Sequence, residues 1–402
     1  MPRTVPAILA CAALALIVAG GCATTVAPTR LATTTITTPE GRTTDQDAAD
    51  QDAAGQSRPF EPVTIAALNT PWALAFLPDR RVVVTEKAGR LLLLTSDGFV
   101  QPVGGVPPVS AGVQNGLLDI APSPGFATDR LLYFTYSAPG PDGGLRLARA
   151  RLDESGATAR LTAIDIIWRQ ERDNGSFWGG VITFSPDGRH LFLAVRDSAR
   201  NSTDPSGAQD GDRSLGKVLR LNPDGSTPAD NPDAAAGGMR GQIWTSGHRT
   251  SYGLAHAPDG TLWQSEMGPQ GGDELNVLRP GDNYGWPLVS EGADYDGTPL
   301  PRHAGRPDLH APTLSWTPVI APGGMAFYHG GAFPAWDGSL LLAGLVSESL
   351  VRVTIDAAGR AREAERWAMG SRIRDVAVAG DGSVWYVEDA GPGRLVRLTP
   401  LQ

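Results

Sequence analysis

An all-β chain folded as a six-bladed β-propeller is predicted by three features of the sequence. A turn followed by a short apolar strand recurs six times, and most copies are followed by a second apolar strand. Glycine and proline are abundant, 49 and 33 of 402 residues, while long helical patterns are few. Such a balance of turns over helices points to many short strands.

The six copies are P-D-R-R-V-V-V (78–84), G-F-A-T-D-R-L-L-Y-F (125–134), P-D-G-R-H-L-F-L (186–193), P-D-G-T-L-W (258–263), W-D-G-S-L-L-L (336–342) and G-D-G-S-V-W-Y-V (380–387). Their spacing, roughly 45–80 residues, is that of propeller blades with insertions. The second strands are G-R-L-L-L-L (89–94), L-R-L-A-R-A-R-L (145–152), G-K-V-L-R-L (216–221), S-L-V-R-V (349–353) and G-R-L-V-R-L (393–398). Asp-Gly between apolar strands is a hairpin signal. Six such sheets around an axis make a propeller; a β-sandwich with coincidental turns is the alternative. Equivalent loops then gather on one face, here carrying Glu86, Arg196-Asp197, Glu266, Glu348 and Glu388-Asp389. A polar ring over a shaft suits a small polar ligand, although solvated loop charges read the same way.

Ahead of the repeats lies a targeting pattern. Arg3 precedes an apolar run from Val5 to Val18, followed by A-G-G-C at 19–22. This describes a secretory signal, and Cys22 after small residues looks like a bacterial lipobox. The expected form is an exported lipoprotein anchored to the cell envelope through Cys22; a simple signal peptide or an uncleaved anchor fits the same residues. Cys11 lies inside the apolar run, so a chain beginning at Cys22 has no internal disulfide. Residues 23–58 hold T-T-T-I-T-T and a tandem D-Q-D-A-A, with acids at Asp45, Asp47, Asp50 and Asp52. Polar and non-periodic, they are expected to be a disordered tether. The remaining 59–402 form the propeller. Formal net charge is −9 with no basic cluster, which argues against a nucleic-acid partner.

The stretch Met267 to Pro287, M-G-P-Q-G-G-D-E-L-N-V-L-R-P-G-D-N-Y-G-W-P, concentrates Gly-rich turns, the carboxylates Asp273 and Glu274, and a Tyr and a Trp. Calcium takes carboxylate and backbone carbonyl oxygens, and such turns can present them; an ordinary surface loop has the same composition.

The residue order is similar to that of the glucose/sorbosone dehydrogenase family, quinoproteins that use pyrroloquinoline quinone (PQQ) with calcium. The resemblance spans about residues 62–400. It includes P-W-A-L-A-F-L-P-D (71–79), Q-N-G-L-L (114–118), L-G-K-V-L-R-L-N-P-D-G (215–225), I-A-P-G-G-M-A-F-Y (320–328) and R-I-R-D-V (372–376). PQQ is a flat triacid, needing guanidinium groups for its carboxylates, a cation at the quinone oxygens and a base for the sugar proton. The resemblance implies that Gln114, Asp197, Arg249, Arg372 and Arg374 fall at cofactor or active-site positions. It implies that Gly268 and Pro269 offer carbonyls to the cofactor's calcium, and that Glu274, Tyr284 and Asp294 sit at a second calcium. Blade ion pairs would equally occupy Arg249, Arg372 and Arg374.

Three positions depart from the family pattern. The family's catalytic His before a paired-Gly turn is Phe177 in F-W-G-G, the Asn after G-H-R is Thr250, and a cofactor-contacting Lys is Val346. Phe cannot accept a proton. Asp197 is the nearest candidate base, beside Arg196, which favours its charged form; none of the six histidines stands in its place. The resemblance implies PQQ-dependent oxidation of aldoses to lactones with an unspecified electron acceptor. The departures raise a second reading, a propeller that binds sugar or quinone without turnover. A calcium-dependent hydrolase of the lactonase kind is a third, on fold analogy alone.

Overall fold

A computed structural model describes residues 57–141, 143–171, 179–197 and 207–401, all within the compact unit Ala48–Gln402. The expected signal, Cys22 and nearly all of the tether lie outside the described residues, as does Phe177.

Six four-stranded antiparallel sheets make the six blades. Their innermost strands are Pro71–Phe76, Leu117–Pro122, Gly179–Phe184, Ser251–His256, Pro322–Phe327 and Ile373–Val378. Consecutive innermost strands pack on one another all the way round, blade six returning to blade one. The ring is closed by sequence ends: Phe60–Leu68 pairs with Gly393–Pro400 and forms the outer edge of blade six.

All six predicted turn-strand units fall on the second strand of a blade: Val82–Glu86, Leu131–Ala138, Leu191–Val195, Leu262–Glu266, Leu340–Gly344 and Val384–Glu388. The turn chemistry explains the recurrence. In five of them an Asp carboxylate (Asp79, Asp129, Asp187, Asp259, Asp381) accepts the N–H two residues on. The residue between is left-handed: Gly188, Gly260 and Gly382, but Arg80 and Arg130 elsewhere. Asp tolerates and organises such turns. The second strands are apolar on both faces, as in V-V-V at 82–84, because each blade packs between two neighbours. Aromatic edges complete the core, with Phe60 meeting Trp336 at 5.8 Å and Trp367 at 5.4 Å.

Every innermost strand carries a register shift near its start, as at Pro71/Ala73, Ser251/Gly253 and Ile373/Asp375. Bulges re-aim side chains, and here they recur at the mouth of the central channel. The channel, about 400 Å³, is lined by Ala73, Asp119, Val181, Gly253, Gly324 and Asp375, the third residue of each innermost strand. Asp119 accepts the Ile182 N–H of the next blade at 2.7 Å, and Asp375 that of Leu74 at 3.0 Å, so two carboxylates fasten blade to blade. Gly324 has to lack a Cβ, which would lie 1.7 Å from Asp375 Oδ1.

The charges expected from sequence as a polar ring of loop residues lie mostly in the interior rather than in solvent. Glu86, Glu266 and Glu388 are buried strand-end groups and Asp197 is buried two residues beyond its strand; Glu348 is exposed.

Candidate active site

The mouth of the channel gathers cations from four blades. Lys87 follows the second strand of blade one, and Arg196 that of blade three. Arg249 precedes the innermost strand of blade four. Arg372 and Arg374 flank the first residue of the innermost strand of blade six. Two carboxylates, Asp197 and Asp389, lie among these five cations, in a chain whose overall charge is −9.

The groups form one hydrogen-bonded and stacked network. Arg196 donates to Gln114 Oε1 at 2.9 Å and to Thr250 Oγ1 at 2.9 Å. Tyr252 donates its phenol to Gln114 Oε1 at 3.3 Å. Arg374 lies 4.3 Å over the Trp72 ring and 5.4 Å over Tyr252, and Lys87 is 5.5 Å from the same Trp72 ring. Asp389 accepts Lys87 at 2.7 Å, Arg372 at 3.0 Å and Arg374 at 2.8 Å. The guanidinium of Arg374 and the ammonium of Lys87 hold its carboxyl far below the usual carboxylate range, against the opposing effect of burial. On the far side, Arg249 donates to the carbonyls of Met267 at 3.1 Å and Gly268 at 2.7 Å, and to Tyr295. It also stacks 5.1 Å over Trp286, whose indole N–H reaches Asp197 Oδ2 at 2.8 Å.

Gln114, Asp197, Arg249, Arg372 and Arg374, picked out from sequence, are therefore brought together. The blade carboxylate that could have consumed both arginines of R-I-R is present as Asp389, yet Arg374 Nε and Nη1 and Arg249 Nε are buried without a hydrogen-bond partner among the described residues. Orphaned buried guanidinium N–H groups are costly. They fit a planar polyanion at this mouth. Burial pushes Arg196 down to about 10, with Arg249 adding a smaller effect in the same direction.

Gly268, Glu274 and Tyr284 line a second, small cavity of about 10 Å³ with Arg249, Glu266 and Gly272, room for one water-sized sphere. Burial, followed by the neighbouring Glu266 carboxylate, raises Glu274 well above the usual range. A cation would offset both effects, so these oxygens fit one. The other expected calcium positions are placed differently. The Gly268 carbonyl already accepts Arg249, and Pro269 is buried beside it outside the lining. The backbone of Asp294 belongs to a neighbouring turn, its carbonyl accepting the Gly297 N–H at 2.9 Å. The Tyr284 phenol donates to the Val277 carbonyl and its ring stacks 4.8 Å from His248. Asp273 is occupied with backbone N–H groups of Gly268, Ile320 and Ala321, which sets the Gly268 turn. Among the described residues no group of three or more His, Cys, Asp or Glu is placed to hold a metal.

Val346 is 57% exposed. Lys87, Trp72, Tyr252 and Trp286 belong to the site but were not singled out for it from sequence, and Arg196 was read only as a ring member and neighbour of Asp197. The signal that finds Lys87 and Arg196 is blade equivalence: each is the first residue after the second strand, as is Asp389 after Glu388.

Fold and site together define a six-bladed propeller with a cluster of cationic side chains at its channel mouth. The sequence profile of the Glucose / Sorbosone dehydrogenase family matches residues 68–397, and the chain belongs to that family. It is 35% identical over 344 residues to aldose sugar dehydrogenase YliI of Escherichia coli (strain K12), covering 83% of this chain and 91% of that protein. The crystal structure of the soluble aldose sugar dehydrogenase from Escherichia coli in the apo-form superposes with a TM-score of 0.77 at 33% identity, over 85% of this chain and 100% of that one. The PQQ-bound form of an aldose sugar dehydrogenase from Streptomyces coelicolor gives 0.69 at 30% identity, over 85% and 98%.

Proposed function

We propose that the chain oxidises aldose sugars at C1 to lactones with PQQ as resident cofactor, assisted by calcium. The observation that carries this reading is the set of buried, unpartnered guanidinium donors of Arg374 and Arg249 at a mouth with five cations. When bound, PQQ supplies a two-electron acceptor for the hydride leaving the sugar C1. Arg372, Arg374 and Arg249 would meet its carboxylates, with Gln114 orienting Arg196 beside it. Glu274, next to Glu266, would hold a calcium ion. The sugar hydroxyl proton needs an acceptor, and Asp197, fixed by the Trp286 indole, is the carboxylate at this edge. Export as a lipoprotein anchored through Cys22 is part of the same proposal and rests on sequence alone.

The experiment adds PQQ and calcium to purified apoprotein and follows dye reduction with a panel of aldoses. Cofactor-dependent reduction with at least one aldose supports the reading; none, with PQQ bound, favours the second reading, a propeller that binds without turnover. Phe177 in place of the family's His is the observation behind that second reading.

A further inference from the structure

Lys87 has no role in the reading above, and its surroundings are one-sided. Its backbone is tightly fixed: the N–H donates to the Thr70 carbonyl at 3.1 Å, and its own carbonyl accepts Leu117 N–H at 3.2 Å. Gly116 packs so closely on that carbonyl that a Cβ would lie 1.9 Å from it. The side chain, 11% exposed, runs across the face of Trp72 toward blade six. Its ammonium donates to Asp389 Oδ1 at 2.7 Å and to the Val113 carbonyl at 3.2 Å, which uses two of three N–H donors.

We infer that Lys87 is a ligand-binding residue of the channel mouth. With Arg372 and Arg374 it forms a three-cation pocket for a carboxylate of the bound anion. This rests on the proposed polyanionic cofactor and extends it. Three cations share the single carboxylate of Asp389, so the pocket keeps a positive excess that a second carboxylate would offset. Two further donors, Arg374 Nε and Nη1, are buried beside it with no acceptor. Burial lowers the Lys87 pKa, and the neighbouring Arg374 and Arg372 add to that, against the pull of Asp389. The partner carboxylate thus does not fully offset the burial of the ammonium. Val346, where the family's lysine is expected, is exposed and apolar and supplies no charge. Arg372 reaches the carbonyl of Leu345 next to it at 3.3 Å, so Lys87 and position 346 border the same arginine.

The test measures binding, not turnover. Tryptophan fluorescence of the apoprotein is titrated with PQQ and, separately, with citrate as a plain tricarboxylate, at several salt concentrations. Wild type, Lys87→Met and Lys87→Arg are compared after thermal melting shows each to be folded. Lys87→Met should weaken both ligands about tenfold or more, the loss of one charge-assisted hydrogen bond. It should also flatten the salt dependence, since one charge–charge attraction is gone. Lys87→Arg should retain most binding. Should Lys87→Met not fold, Lys87→Gln carries the same comparison. Citrate binding that depends on Lys87, without any PQQ binding by wild type, leaves this pocket standing and overturns the quinone reading. PQQ and citrate affinities unchanged in the folded neutral variant overturn the assignment and reduce Lys87 to an ion pair. Wild type binding neither ligand overturns both.

Discussion

Glu266 and Glu274 are cross-strand partners in blade four, and one amide bridges them. Asn276 Nδ2 donates to Glu266 Oε1 at 3.1 Å and to Glu274 Oε2 at 3.3 Å. The other Glu266 oxygen accepts the Arg249 backbone N–H, while His248 shares Oε1 at 3.0 Å. Glu266 is well supplied with donors and Glu274 is not. That asymmetry places the raised carboxyl on Glu274, with burial the larger cause and Glu266 the next.

Calcium and pH should therefore act on the same group. A carboxyl whose folded pKa exceeds its unfolded value binds more protons when folded, so stability falls as pH rises above the unfolded value. In chelator, the melting temperature should drop as pH rises above about 4.5, the ordinary value for Glu. Calcium should restore it by mass action. Glu274→Gln should flatten the pH slope and abolish the calcium response. A calcium response that persists in Glu274→Gln would move the ion elsewhere.

Asp119 and Asp375 add a second, metal-independent slope. Burial pushes Asp119 up to about 8, helped by the charge of Asp375, and burial pushes Asp375 up to about 7. Both folded values exceed the ordinary 3.8, so their contribution is full at acid pH and is lost between about pH 4 and 8. Asp375→Asn loses one of two acceptor oxygens now used by Leu74 and Val376 N–H. The variant should be less stable at pH 5 by about 1–3 kcal/mol, yet lose less on going to pH 8. Denaturant melts at the two pH values check this; parallel slopes for variant and wild type would refute it.

How much of this was legible in the sequence depends on the length scale of the signal. The propeller could be read because each Asp turn is local: carboxylate, left-handed residue and N–H lie within three positions, as at Asp187, Gly188 and Arg189. Arg372 and Arg374 could be read because R-I-R is contiguous. Lys87 was not read, because its partner Asp389 lies 302 residues away across the ring closure and only blade equivalence points to it. Trp286 was placed in the calcium stretch, but its indole turns back to Asp197 in blade three. Only the ring brings such pairs together. The burial of Glu86, Glu266 and Glu388 was missed for a related reason: residues ending a strand look like loop charges until the neighbouring blade covers them.

Arg374→Gln should expose the receptor directly. The guanidinium is 6% exposed, with two N–H groups unpartnered. Removing a charged donor pair should weaken PQQ binding about 10- to 100-fold. Melting in the absence of cofactor should change less, because Asp389 retains Lys87 and Arg372. Equal affinity in variant and wild type, by fluorescence titration, would place the cofactor elsewhere.

The last prediction concerns Phe177, which lies outside the described residues but directly before Trp178, Gly179 and Gly180. If the family's base position is there, the wild-type protein should bind PQQ and oxidise sugars feebly, because a phenyl ring accepts no proton. General-base catalysis contributes typically about a hundred- to ten-thousandfold. Phe177→His should raise dye reduction by some part of that factor, with quinone affinity little changed. Thr250 complicates the restoration, since its hydroxyl already accepts Arg196 Nε at 2.9 Å. Thr250→Asn keeps an acceptor oxygen for Arg196 and adds an amide donor, so the double variant should exceed Phe177→His alone. Vigorous turnover by the wild-type protein would contradict the lost base. It would transfer the role to Asp197, whose Oδ2 is already fixed by the indole of Trp286, and Asp197→Asn would then abolish the rate.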